Sequence, residues 1–224
     1  MCRVVKKNVV KGSQKWLQIL INQHPNLITS AFCDATGLPP TLGIEWLSPH
    51  VQDDYAEYRD ECFLKRLGTV LPNRSLDTFW PSLGPVWDGL GRSEQSHLIL
   101  IEAKSHIAEI VSPPTSAEAE ASIALIRASL QETKDFLAPS SKADWSHTFY
   151  QYTNRLAHLY LLRHLNQLPA YMVNVYFIND ADMDGPASRE EWEGALELLK
   201  VYLGVRHSSL EKYCVDLFFD IKQL

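Results

Sequence analysis

The run Leu98-Ile99-Leu100-Ile101-Glu102-Ala103-Lys104 constrains this chain more than any other stretch. Four consecutive large aliphatic residues with no polar alternation read as a strand buried on both faces, in the middle of a covered sheet. Yet the run ends in a carboxylate and an ammonium. Side chains alternate across a strand with period two, so Glu102 and Lys104 share one face. A strand this buried tolerates such an ending only if both charges are satisfied. The economical partner for both is a metal ion with a bound water. Upstream, Pro85-Val86-Trp87-Asp88-Gly89-Leu90-Gly91 sets Asp88 before a Gly turn, where it serves as a second carboxylate.

The 224 residues are enough for one domain with a sizeable core. Net charge is -6, so a polyanionic partner has to meet a local basic patch. No apolar run approaches the roughly 20 residues needed to span a bilayer, and no membrane association is expected. The opening Met1-Cys2-Arg3-Val4-Val5-Lys6-Lys7 has neither a long apolar core nor a small-residue cleavage site, so a secretory signal is not expected. Cys2, Cys33, Cys62 and Cys214 are scattered, with no C-x-x-C pair, which argues against a zinc site or a disulfide framework and for a reducing cytoplasm.

Periodicity gives a coarse order of elements. An amphipathic helix is expected over 13–23, a break at Gly37-Leu38-Pro39-Pro40, and a short extended piece over 41–47. Val51, Tyr55, Tyr58 and Cys62 share a helical face, so a second helix is expected from His50 to Leu67, ending at Gly68 and gathering Asp54, Glu57 and Glu61 on another face. Residues 69–96 suggest short strands and turns around Trp80 and Trp87. Helices follow over 117–137, with Ser116 as its cap, and over 145–166. Strands over 171–178 and 213–221 bracket a helix over 188–203. Strands alternating with helices argue for one α/β domain.

Two carboxylates converging on one point repel unless they share a proton or a cation. Oxygen ligands select hard cations such as Mg2+ or Mn2+. A lysine beside such a site orients water or steadies charge developing on a phosphate. The combination suits hydrolysis of a phosphodiester. Asp88, followed by Glu102-Ala103-Lys104 at the end of an apolar strand, resembles the PD-(D/E)XK nuclease superfamily, and the likeness runs over about residues 50–180. It implies a restriction-endonuclease-like core: a mixed central β-sheet flanked by helices on both faces, with an N-terminal helical extension over 1–48 and an inserted helix over 117–137.

The resemblance further implies that Asp88 and Glu102 bind Mg2+ or Mn2+, that the Ala103 carbonyl joins them, and that Lys104 assists the attacking water. A Glu from a preceding helix often completes such sites; Glu57 is the first candidate here and Glu61 the second. Gln151, Tyr152 and Arg155 match in type the Gln and Tyr that some members carry on the following helix. The expected activity is a metal-dependent nuclease, with DNA ahead of RNA as substrate. The rival is a catalytically idle member that uses the pocket for binding. The chain departs from the pattern in two ways: Pro85 stands three residues before Asp88, and the 117–137 helix looks inserted.

Other signals carry less. Asp180, Asp182, Asp184 and Gly185, with Glu191 beyond, fit the spacing of a calcium loop, but Ser188 and Glu191 also form a capping box, and no calcium site is expected. Arg155, His158, Arg163 and His164 make the 145–166 helix positive without sharing a face. Lys6, Lys7, Lys11 and Lys15 read as a solvated basic N-terminus. His106 either lines the site or ends the strand. Trp80, Trp87, Trp145 and Trp192 are expected in the core.

Overall fold

A computed structural model describes residues 2–7 and 9–224. In chain order the elements are β1 (Arg3–Val4), α1 (Gly12–Gln23), α2 (Pro25–Thr36), β2 (Ile44–Ser48), β3 (Glu57–Tyr58), α3 (Glu61–Leu67), β4 (Gly89–Ser93), β5 (Leu98–Lys104), α4 (Glu120–Leu137), α5 (Tyr150–Tyr160), β6 (Ala170–Ile178), α6 (Arg189–Leu203) and β7 (Cys214–Asp220). A five-stranded sheet has the order β2-β4-β5-β6-β7. β2, β4 and β5 run antiparallel, whereas β5, β6 and β7 are parallel. The sheet is therefore mixed, and β5 is its central strand, as its unbroken apolar run requires.

The period-two alternation divides β5 between two cores. Ile99, Ile101 and Ala103 pack with Leu17, Leu20 and Phe32 of α1 and α2. Leu98 and Leu100 face the opposite layer, with Leu156 of α5 and Trp192 and Leu199 of α6. Within the segment expected as a helical extension, α1 and α2 thus cover one whole face of the sheet. α4 packs on α5 in the other layer. Trp80, Trp87, Trp145 and Trp192 are all buried in that layer.

The helix expected over 50–67 is confined to Glu61–Leu67. Asp54, Tyr55 and Asp60 have φ of 56°, 53° and 52°, a left-handed backbone no right-handed helix accommodates. Between them Glu57 and Tyr58 pair with β1 and form strand β3 instead. The 3.6-residue spacing of Val51, Tyr55, Tyr58 and Cys62 was coincidental. Ser116 does not cap α4, which begins at Glu120 behind Ala119. The helix expected from 145 begins at Tyr150, behind Phe149 at φ 63°, and ends in a π-helical turn over Leu161–Leu165. The helix α2 went unpredicted.

The cysteine reading also needs correction. Cys2 and Cys62 form a disulfide with Cα atoms 5.8 Å apart. Pairing of β1 with β3 brings the chain start alongside, where the Arg59 N–H donates to the Cys2 carbonyl at 3.0 Å. Sequence spacing hid this contact, and the compartment inferred from scattered cysteines loses that support. Cys33 and Cys214 are free. Among the described residues, no helix is long and apolar enough to cross a membrane.

Candidate active site

Strand register gathers the polar residues. Gly89 of β4 lies opposite Ile101 of β5, and one further step of the ladder sets Asp88 opposite Glu102. Glu102 lies opposite Asn174 of β6, and Asn174 opposite Asp216 of β7. On the other side, an isolated antiparallel bridge joins Tyr58 to Trp87, so the next step sets Glu57 beside Asp88. A row of polar residues, Glu57, Asp88, Glu102, Asn174 and Asp216, therefore crosses the middle of the molecule. The bridge accounts for Glu57: it arrives on a strand rather than on a helix. Glu61 does not join the row, because it is exposed on α3 and pairs with Lys65 at 3.7 Å.

Glu102 is the best-held member, with its side chain only 7% exposed. Arg155 donates to its Oε2 through Nε at 2.8 Å, and Arg155 Nη2 lies 2.7 Å from the same oxygen as an ion pair. Lys104 Nζ and Gln151 Nε2 donate to Oε1, the latter at 2.6 Å. A carboxylate offers about four lone-pair sites; three hydrogen-bond donors and the Arg155 ion pair occupy most of them. Burial alone would raise the Glu102 carboxyl, but Arg155 and Lys104 outweigh it and hold the pKa below its ordinary value. Burial would likewise lower the Lys104 ammonium, yet Glu102 and Asp88 hold it above its usual value.

Asp88 accepts the Ala103 N–H on Oδ2 at 2.8 Å. Burial, and then the nearby Glu102 charge, push its carboxyl up to about 7. Glu57 accepts from Gln14 Nε2 of α1 at 3.1 Å and lies 3.6 Å from Lys6 Nζ. Burial and repulsion by Asp88 push it up to about 9. Three acids thus interact strongly enough that two of them hold protons near neutrality. Such a cluster gains by taking up a cation.

Arg155 is fixed in turn. Its Nη2 donates to the Val86 carbonyl at 2.7 Å, its Nη1 to Asn154 Oδ1 at 2.9 Å, and its guanidinium lies 4.7 Å from the Trp87 ring centroid. Gln151 and Arg155 were legible by residue type, and both reach Glu102. Tyr152 instead lines a cavity of about 20 Å³ beside Glu102 and Asn174. That space admits nothing larger than a water, so no substrate reaches Glu102 from the β6 side. Asn174 Nδ2 donates to Asp216 Oδ1 at 2.9 Å, and Lys200 Nζ to Asp216 Oδ2 at 2.6 Å. This half of the row is paired within itself; sequence spacing gave no sign of it.

The remaining candidates fall outside the row. His106 follows β5 and lies 3.8 Å from Glu109. Asp180 is buried, and its Oδ2 accepts from Trp16 Nε1 at 2.9 Å. Ser188 caps α6 through the Glu191 N–H at 3.3 Å, and Glu191 reaches back to the Ala187 N–H at 2.9 Å. Lys6 is the one N-terminal lysine that approaches the acids; Lys7 pairs with Asp54 at 2.8 Å. Among the described residues, no three His, Cys, Asp or Glu side chains are gathered at metal-ligand spacing.

The arrangement defines an α/β domain with a buried acid–lysine cluster at the junction of β4 and β5. No family model matches the chain, and no curated protein or solved structure matches it.

Proposed function

We propose that the protein is a divalent-metal-dependent nuclease of restriction-endonuclease-like type. The observation that carries this reading is the alignment of Glu57, Asp88 and Glu102 in one register row, with Lys104 two residues along β5 and bonded to Glu102. The donor chemistry fits Mg2+ or Mn2+. The acids are oxygen ligands, and protons held by Asp88 near pH 7 and by Glu57 near pH 9 are ones a cation would displace. Asp88, Glu57 and the Ala103 carbonyl would hold the ion, and Glu102 would join after releasing one of its three hydrogen-bond donors. A bound ion supplies polarisation of a phosphate and a more acidic water. Lys104, protonated under the pull of Glu102 and Asp88, faces charge that develops on a phosphate oxygen. Arg155 and Gln151 fix the Glu102 carboxylate.

The test is cleavage of single- and double-stranded DNA and RNA with magnesium or manganese. DNA is the first substrate to try. Asp88→Ala should lower the rate by more than about a hundredfold, in line with losing a ligand rather than an outer partner. Lys104→Met should lower it about 10² to 10³-fold. Cleavage that survives both substitutions refutes the assignment. One observation favours a second reading, a catalytically idle binding protein: both oxygens of Glu102 are already engaged by the side chains of Lys104, Gln151 and Arg155. Bound manganese and bound nucleic acid without cleavage would select it.

A further inference from the structure

A recess lies between the Trp80–Pro85 loop and the start of α4. It has a volume of about 470 Å³ and includes Trp80, Pro85, Ser122, Tyr150 and Asn154 in its walls, within the size range of small-molecule sites. Its walls are held in place. Asp60 accepts the Leu83 N–H at 3.2 Å and the Gly84 N–H at 2.9 Å, which pins the loop. On the far side, the Gln151 N–H donates to Ser112 Oγ at 2.7 Å, which ties the start of α5 to the loop before α4. A preformed cavity of this kind loses little entropy on binding.

Its chemistry is selective. Glu118 is the one charged side chain in the lining. The lining therefore offers a phosphate no cation to pair with, and a neutral polar ring suits it better. Tyr150 offers aromatic surface, with the buried Trp80 behind the wall; Ser82, Ser116 and Ser122 offer hydroxyl groups. Leu83, 65% exposed, stands on the rim. No acid of the row lines the cavity, but two of its wall residues connect to the row. Asn154, in its wall, accepts from Arg155, which holds Glu102. Pro85, in its wall, stands three residues before Asp88, a span of at most about 10 Å of extended chain.

We propose that this cavity is a nucleobase subsite, which receives an unpaired base at or next to the nucleotide whose phosphate meets Asp88 and Glu102. It rests on the nuclease reading and narrows its substrate: a base inside this cavity is not stacked in a duplex, so the preferred strand is single or locally opened.

The test uses single-stranded DNA carrying one 2-aminopurine, and the same strand with an abasic residue at that position. Both are titrated against the full chain in calcium, with fluorescence anisotropy of an end label and the 2-aminopurine emission as readouts. Wild type should bind the base-bearing strand about tenfold more tightly than the abasic one, as loss of one stacked base implies, and should quench 2-aminopurine. Ser122→Trp, which fills the cavity from α4, should abolish the quenching and bind both strands as wild type binds the abasic one. Ser116→Trp, on an exposed loop position, should act in the same direction and guards against misfolding of the first variant. Equal affinity of wild type for both strands overturns the proposal, as does undiminished quenching in both folded Trp variants. Cleavage with magnesium is scored separately, using Asp88→Ala as the blank. Base-dependent binding without cleavage sinks the nuclease reading and leaves the subsite standing; cleavage with no base dependence does the reverse.

Discussion

The raised carboxyls make a sharp prediction about stability against pH. An acid whose folded pKa lies above its unfolded value favours folding fully while both states are protonated. That contribution is lost as pH rises from the unfolded pKa to the folded one. For Glu57 the window runs from 4.5 to about 9, and for Asp88 from 3.8 to about 7. His158 opposes them at lower pH. Its ring is buried, and burial depresses its pKa from 6.5 to about 3, so the folded state gains stability as pH rises through that range. Above pH 6.5 the His158 contribution is complete, and Glu57 dominates. Between pH 6.5 and 8.5 one proton difference over two pH units is worth about 3 kcal/mol. Urea unfolding in EDTA should therefore give a free energy that falls by about 3 kcal/mol across this interval. Glu57→Gln should flatten most of the fall, and saturating magnesium should stabilise more at pH 8.5 than at 6.5. A flat or rising wild-type profile, or an unchanged slope in Glu57→Gln, would refute the idea that burial and repulsion keep this acid protonated.

Three further outcomes follow from the same contacts. Arg155→Met leaves the buried Glu102 charge without its bidentate partner and should cost about 3 to 5 kcal/mol at pH 7; Glu102→Gln in the same chain should recover much of it, a double-mutant coupling read by urea unfolding. The Cys2–Cys62 disulfide spans a sequence separation of 60, so dithiothreitol or Cys2→Ser should cost about 4 kcal/mol by loop closure, with no further loss when both are applied. Gly91→Ala should destabilise by about 1 to 3 kcal/mol in thermal unfolding, because its added methyl group would meet the Trp46 ring at 2.8 Å.

The sequence was most legible where one physical pattern dominated. β5 and β6 carry apolar runs long enough to demand burial on both faces, and Ser188 caps α6 while Glu191 reaches back one residue further, to the Ala187 N–H. Glu102 and Lys104 were readable because charge at the end of such a strand has to be satisfied. Misreadings came where long-range pairing overrode a local pattern. The stretch around Glu57 has helical spacing, but β1 and Trp87 pair with it from 53 and 29 residues away (57 − 4 and 87 − 58). The disulfide depends on that same pairing. Asn174 and Asp216 are single polar residues inside strands, and nothing local signals that they align with Glu102. Helix α2 opens with Pro25 one residue after α1 ends, and that proline punctuates rather than terminates the helical stretch.

Register is what turns these separate strands into a site. A slip of β4 by one residue against β5 would carry Asp88 to the opposite face, since side chains alternate with period two. Gly89 and Gly91 guard against it. A Cβ at Gly89 would meet the Ser48 carbonyl at 3.1 Å and Ile101 at 3.0 Å, and one at Gly91 would meet Trp46. Both glycines lie on the face of α1 and α2, where β4 comes close to its neighbours. Leu90 is buried in the opposite layer with Leu98 and Leu100. A shifted register would bury no side chain at position 89 or 91 where Leu90 now packs, and would turn Leu90 toward Trp46 and Ile101. Hydrophobic packing on both sides of β4 therefore selects the one alignment that sets Asp88 against Glu102. The acids bear the electrostatic cost that raises Asp88 and Glu57, and apolar burial along β4 and β5 sustains it.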